Sequence, residues 1–466
     1  MRRNDQDDLP HPLQVEWDTD LRAGNPLDWA GYGAETGGRD SVITGRAAID
    51  PLRTDSRYVV IAGRFEHLGG SMVAVHGEKV VRASRRATIE KLPVVVLSAS
   101  GGARIQEGMV ALAQLARTSG AARAHARAGL LSLAVMRHPT TGGVLASYAS
   151  LTDLRAAEPG ALVSFAGSRV QATAGIGTRQ TTAEDAFERG LVDALIERPE
   201  QGPWIEHALG LRDQPLTVLP PVPTADDEQL ELLPDNEAWT EVQRARAADR
   251  LSGIDHAARL CDSWTELRGP DPTVRAGLTR IGRRRAVVIA NDRRAGTGLV
   301  NAGGFQLVRR AVALAVHLQV PLLTLVDTPG ADPTDDGIAA EVAATFAAMI
   351  DADVPTVAIC VGEGGSGGAF ALASCDRLLM LEHAVFSVIA PEGAAAILGQ
   401  APTAVPEFAG RLRLTAPDVV ELGIADAVVS EADAPGVDAA INDALDHAEP
   451  GDRLGRLERA TKRWLR

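Results

Sequence analysis

Lysine is almost missing from this chain of 466 residues: Lys79, Lys91 and Lys462 are all there are. None follows a glycine, so no Gly-Lys-Ser/Thr phosphate loop exists, and ATP hydrolysis at such a loop is excluded. Cysteine is equally scarce. Cys261, Cys360 and Cys375 lie far apart with no Cys-x-x-Cys, which excludes a zinc ribbon and a disulfide framework. Cys360 and Cys375 sit in apolar segments and are expected as buried thiols. No run of eighteen apolar residues occurs, so no membrane span is expected. The opening "MRRNDQDDLPHP" lacks the apolar stretch of a signal peptide. A basic field is missing too. The net charge of −14 and pI of about 5.3 argue against general binding to nucleic acid or a membrane surface, and leave room only for a local basic pocket. No His-Glu-x-x-His is present. These absences predict a cytoplasmic protein without a metal site, a nucleic-acid partner or a membrane partner.

What is present is a duplication. "LPVVVLSASGGAR" (Leu92–Arg104) and "VPLLTLVDTPGAD" (Val320–Asp332) are both apolar strands that run into a glycine turn. Each is preceded by a predicted amphipathic helix, Glu78–Glu90 or Phe305–Leu318. A second strand follows in each half, "LLSLAVM" (Leu130–Met136) and "PTVAICV" (Pro355–Val361). It leads to a second turn, "HPTTGGVLAS" or "GEGGSGGAFALAS". Then come Asp153 and Asp376, with Ser164 and Ser387 eleven residues later in each case. The repeat is about 225 residues long. Strand, glycine turn and helix in alternation predict an α/β fold in two domains. The boundaries read from the sequence are 1–212 and 237–466, joined by an acidic, Pro-rich linker at 213–236. Glu237–Leu267 reads as helical.

Glycines between a strand and a helix let the backbone approach a ligand and present N–H groups at the helix start, where negative charge is favoured. Two such turns per domain can supply one oxyanion hole per domain, with an N–H from each turn. Competing motifs explain less. Gly362, Gly364 and Gly367, with Glu382 further on, satisfy a dinucleotide fingerprint, but that reading leaves the other three turns unused. "GGSGG" satisfies Gly-x-Ser-x-Gly with Ser366, while its repeat partner "PTTGG" has no serine. His67, His76, His138 and His383 lie near motifs and read as structural or solvated. Ser100 has no base placed beside it by sequence. Glu363 reads as a helix cap or a ligand contact.

At these residues the chain resembles a known family. "SASGGARIQEGMVALAQLARTSGA" and "HPTTGGVLASYASLTDLRAAEPGALVSFAGSRV" are similar to the β subunit of bacterial acetyl-CoA carboxylase carboxyltransferase. "LTLVDTPGADP", "VGEGGSGGAFALASCDRLLMLEHAVFSVIAPEGAAAIL" and "LTAPDVVELGIADAVV" are similar to its α subunit. The resemblance implies a fused β–α chain made of two tandem crotonase-like ββα-superhelix domains. It implies acyl-CoA on the first domain and carboxybiotin on the second, in a site shared between an N-domain and a C-domain that commonly come from different protomers. The two oxyanions would be the thioester enolate and the ureido oxygen of biotin. Matched by motif, Gly101, Gly102, Ala103, Gly142 and Gly143 fall on the thioester side. Gly330, Ala331, Gly364, Gly365, Gly367 and Gly368 fall on the biotin side. Arg104, Lys79 and Arg82 are candidates for CoA phosphates.

No lysine has a methionine neighbour, so biotin would come in trans, on a biotin carboxyl carrier protein charged by a biotin carboxylase. A homodimer or higher homo-oligomer is expected. The chain departs from the family in lacking the β subunit's four-cysteine zinc ribbon, in the acidic run Asp332–Asp336, and in its basic tail, which reads as a solvated helix or a docking segment. A malonate or malonyl-thioester decarboxylase component and a non-catalytic paralogue remain as alternatives.

Overall fold

The computed structural model describes residues 8–22, 24–30, 32, 41–164, 181–218, 237–335, 337–451 and 453–462. The chain divides into two compact units, Met1–Arg212 and Asp213–Arg466. Most of the acidic, Pro-rich stretch, residues 219–236, lies outside the described residues, as do Asp336 and the motif segment 165–180.

The first unit carries one sheet. Its strands are β1 (Leu13–Glu16), β2 (Val42–Ala48), β3 (Arg57–Gly63), β4 (Val94–Ser100), β5 (Ser132–Thr141), β6 (Leu154–Ala157), β7 (Val163–Ser164) and β8 (Ala194–Leu195). The order is β1-β2-β3-β4-β5-β6-β8, with β7 added beside β5. Pairing is antiparallel from β1 to β3 and parallel from β3 onward. Parallel neighbours need long crossovers, and helices Ala74–Glu90 and Gly108–Arg127 supply them.

The second unit repeats the plan. Its strands are β9 (Ser263–Leu267), β10 (Val274–Ile281), β11 (Arg284–Asn291), β12 (Leu322–Thr328), β13 (Thr356–Gly365), β14 (Arg377–Leu381), β15 (Val385–Ser387) and β16 (Ala427–Val429). The order is β16-β14-β13-β12-β11-β10-β9, with β15 beside β13. Helices Ala302–Leu318 and Ile338–Asp351 are its crossovers.

Every residue of β4 and of β12 is buried, which is why both read as continuous apolar runs without alternation. Val59, Ile61, Val80, Val94, Val96 and Ala134 form the centre of the first core. The duplication extends to single hydrogen bonds. Met72 N donates to Gly102 O at 2.8 Å, and Val300 N donates to Gly330 O at 2.9 Å. The Asp153 carboxylate accepts from the backbone and hydroxyl of Ser132, and Asp376 does the same for Thr356, all at 2.8 Å. Lys91 and Gln319 both end their helices in the left-handed conformation.

The helix starts differ from the sequence reading. Both crossover helices begin three or more residues early, at Ala74 and Ala302 rather than Glu78 and Phe305. The reason is a carboxylate distant in sequence. Glu107 Oε2 accepts from Ala74 N at 2.7 Å, and Asp335 Oδ2 accepts from Ala302 N at 2.6 Å. Part of the acidic run after Ala331 is therefore a helix cap.

A second correction concerns Glu237–Leu267. It forms helices Glu237–Ala245 and Gly253–Leu260, but Ser263–Leu267 is strand β9. Pairing with β10 overrides the local pattern, and the Trp264 ring covers Gly277, where a Cβ would sit 2.5 Å from it. The tail forms helix Arg453–Lys462, whose first residue is buried rather than solvated.

Candidate functional site

The site is built from the four turns. In the first unit β4 ends at Ser100, and β5 runs into a short helix that opens at Gly142. Thr141 Oγ1 donates to Ser100 O at 3.0 Å and ties the two strand ends together. Gly142 has φ +59°, and a Cβ on it would lie 2.8 Å from Gly102 Cα, so the turns meet backbone against backbone.

Neighbouring acceptors then decide which N–H groups stay open. Gly101 N donates to Gly69 O at 2.8 Å, and Gly102 N donates to Ser100 Oγ at 3.1 Å. The N–H groups of Ala103 and Gly143 have no acceptor among the described residues. They are close together, since a Cβ on Gly143 would be 3.6 Å from Ala103 N.

The second unit makes the same selection. Gly330 N donates to Thr328 Oγ1 at 3.0 Å, so this glycine is turned inward. Pro329, in the place of Gly101, has no N–H. Ala331 N is left open beside the first turn of helix Ser366–Leu372, where Gly367 and Gly368 present N–H groups that no intrahelical carbonyl can reach. A Cβ on Gly368 would lie 2.4 Å from Ala331 N. Ser366 and Gly367 are exposed.

Gly362, Gly364 and Gly365 are inside β13 rather than in a turn, and the added Cβ atoms would collide with Asp327, the Phe386 ring and Pro329 O respectively. These three glycines serve close packing. The phosphate-cradling turn of a dinucleotide fingerprint is not formed there.

The cations proposed for CoA are placed differently from one another. Lys79 is 2% exposed, and its ammonium donates to Val42 O at 3.2 Å, so a phosphate would have to enter the core to reach it. Arg104 is also buried and braces the loop next to Ala103: Nε donates to Ser71 Oγ at 2.8 Å and Nη1 to Tyr32 OH at 3.2 Å. Arg82 bridges Glu78 and Asp18 with its side chain 41% exposed, and of the three it alone reaches solvent.

Glu363 neither caps a helix nor stays open. Its buried carboxylate accepts from Arg246 at 2.6 Å and from Arg293 at 3.3 Å. Beneath it Asp327 accepts from Glu363 N at 3.1 Å, and burial pushes the Asp327 carboxyl above its usual range against the pull of Arg293. Arg246 and Arg293 are residues that sequence reasoning missed, because no spacing links positions 246, 293 and 363.

His138 Nδ1 accepts from Leu162 N, His383 pairs with Glu241, and Ser100 Oγ serves Gly102. His76 is fully buried between Ser41 Oγ and Tyr148 OH. Burial, with Arg104 and Lys79 nearby, pushes its pKa down to about 3. It is neutral in the folded protein, while the unfolded chain takes up a proton below pH 6.5. Stability therefore falls as the pH drops from 6.5, by about 1.4 kcal/mol per pH unit for this group. His256, pushed down to about 3 chiefly by burial, adds a second such slope. Urea melts between pH 7 and 5 are expected to show this decline, and His76→Gln is expected to remove one proton's worth of it. An unchanged slope would refute the assignment.

A cavity of about 370 Å³ in the second unit is lined by Arg250, His256, Arg259, His383 and Glu431 among others, and does not include the glycine turns. Among the described residues, no group of three or more His, Cys, Asp or Glu side chains could hold a metal ion, and no helix is long and apolar enough to cross a membrane.

Two α/β units built on one plan, each closing a pair of strand ends with open backbone donors and, among the described residues, no adjacent nucleophile–base pair, define a tandem crotonase-like fold. A family model described as acetyl co-enzyme A carboxylase carboxyltransferase-like matches residues 224–448. The acetyl-coenzyme A carboxylase carboxyl transferase subunits beta/alpha of Salinispora tropica are 37% identical over 453 residues, covering 91% of this chain and 77% of the relative. A probable biotin-dependent acyl-coenzyme A carboxylase beta3 subunit of Mycobacterium tuberculosis is 33% identical, covering 92% of this chain and 90% of its own. Among solved structures, transcarboxylase 12S, described as a hexamer, superposes with a TM-score of 0.71 at 22% identity, covering 88% of this chain and 82% of that one. The chain belongs to the carboxyltransferase family of biotin-dependent acyl-CoA carboxylases, and it is a transferase.

Proposed function

We propose that this carboxyltransferase moves a carboxyl group from biotin on a separate carrier protein to acetyl-CoA or a related acyl-CoA, giving malonyl-CoA or its homologue. The observation that carries this reading is the set of open N–H donors at each pair of turns, with no nucleophile–base pair beside them among the described residues. In the first unit Ala103 and Gly143 donate to the thioester oxygen as it becomes an enolate, and each such donor is worth about 3–4 kcal/mol of barrier. In the second unit Ala331, Gly367 and Gly368 donate to the ureido oxygen of biotin. Carboxybiotin supplies the carboxyl group and, once that is released, the base for the α-proton. Ser100 and Thr328 hold Gly102 and Gly330 inward, which aims the next residue's N–H outward in each turn. Arg82 is the cation retained for the CoA phosphates.

The partners are a biotin carboxyl carrier protein and a biotin carboxylase. A homodimer or higher homo-oligomer fits the exposed Ile105 and Met109 beside the first turn, which are 77% and 73% exposed. The reverse half-reaction tests the reading: malonyl-CoA consumption by the purified full chain, with and without biocytin. Consumption that requires biocytin is expected. Release of CO2 without biocytin would make the chain a decarboxylase component, and inactivity of folded protein toward malonyl- and methylmalonyl-CoA would make it a non-catalytic paralogue.

A further inference from the structure

Ser366 stands apart from every other residue of the turns. Its φ is +60°, in the left-handed region that side chains other than glycine, asparagine and aspartate seldom adopt. Lys91 and Gln319 share that conformation, but as helix C-caps, where it is commonplace. Ser366 opens a helix instead. The equivalent residue in the first unit is Gly142, with φ +59°, where the conformation carries no strain. The second unit thus keeps a side chain at a position that a glycine fills in its own duplicate. Packing does not explain it, since Ser366 is exposed and its hydroxyl makes no hydrogen bond with any described residue. The residue is nevertheless part of the site: a Cβ on Gly330 would lie 3.6 Å from Ser366 Cβ, one residue before the open Ala331 N–H.

We propose that the Ser366 hydroxyl is a side-chain hydrogen-bond donor to the ureido oxygen of biotin, added to the backbone donors, and that it makes the two duplicated half-sites unequal. This rests on the assignment of biotin to the second unit. A backbone pair accepts any oxyanion of suitable size. The hydroxyl is present in the second unit alone, so it strengthens the hold on the oxygen bound there as that oxygen gains negative charge. The first unit, with Gly142, leaves the same space open for the thioester.

The test compares wild type, Ser366→Gly and Ser366→Ala in the biocytin-dependent consumption of malonyl-CoA, together with thermal melts. Ser366→Gly relieves the strain and removes the hydroxyl, so its melting temperature should rise while kcat/KM for biocytin falls about tenfold, the loss of one hydrogen bond. Ser366→Ala keeps the strain and should show the same loss without the rise. In both, KM for malonyl-CoA should stay at the wild-type value. Unchanged biocytin kinetics in both variants beside an active wild type would overturn the proposal alone, as would an equal loss toward malonyl-CoA. A wild type whose turnover ignores biocytin would overturn the functional reading and this assignment with it.

Discussion

Gly368→Ala is expected to reduce carboxyl transfer by about 10²–10³-fold in kcat while leaving the protein folded. The new methyl group would lie 2.4 Å from Ala331 N and 2.9 Å from Ala331 Cβ. Both are held firmly, because Ala331 lies in the bridge that pairs with Val300. Either the methyl covers the donor or the turns move apart. Loss of one preorganised donor costs about 3–4 kcal/mol of barrier, which is the stated factor. Gly143→Ala in the first unit is expected to cost less, about tenfold. There the nearest atom is Leu115 Cδ1 at 2.9 Å, the far end of a flexible side chain, and Ala103 N is 3.6 Å away. Single-turnover rates with malonyl-CoA and biocytin, checked by circular dichroism, give the ranking. Equal losses in both variants, or full activity in Gly368→Ala, would contradict the donor geometry.

Arg453→Met is expected to be the most damaging single change to stability in the second unit, at roughly 3–5 kcal/mol. Arg453 is 5% exposed and begins the last described helix. Its guanidinium donates to Met349 O, Ile350 O and Ala352 O at 2.7, 2.9 and 2.7 Å, and to Val354 O at 3.0 Å. It also reaches Asp376 Oδ2 at 2.8 Å, the carboxylate that holds the start of β13 through Thr356. These carbonyls belong to the end of helix Ile338–Asp351 and the residues after it, where the helix has no further N–H of its own to offer them. Methionine fills the volume and leaves both the carbonyls and Asp376 without their donor. A fall in melting temperature of roughly 10 °C follows for a unit of this size. Arg453→Lys should recover only part of it, because an ammonium cannot span the same fork of acceptors. A melting temperature within two degrees of wild type, on the order of measurement scatter, would refute this.

The candidate site was partly legible in the sequence, and particular residues show where legibility stops. All four turns were visible, because a glycine at a strand end is a local, torsional signal. The roles of single glycines within "GEGGSGGAF" were not. Gly362, Gly364 and Gly365 are packing glycines set against Asp327, Phe386 and Pro329, and those neighbours are 22 to 36 positions away. Lys79 shows the same limit. In the sequence it is a rare cation near a motif, and in the fold it is a buried donor to Val42 O. The ion cluster of Arg246, Arg293 and Glu363 left no trace in any spacing, and the tail read as solvated because only the register of Asp376 and the end of helix Ile338–Asp351 reveals what Arg453 binds.

By itself, the sequence determined the duplication, the strand–turn–helix rhythm and the absence of a metal-binding motif. These depend on residue type, hydrophobic period and backbone freedom, all of which act over a few neighbouring positions. The tertiary structure decided which N–H groups remain open. Gly101 and Gly102 are spent on Gly69 O and Ser100 Oγ, Gly330 on Thr328 Oγ1, and so Ala103 and Ala331 keep N–H groups with no acceptor among the described residues. The physical reason is that a backbone N–H is available to a ligand only if no acceptor lies within about 3 Å of it. That is a fact about distances across the fold, which residue order alone does not contain.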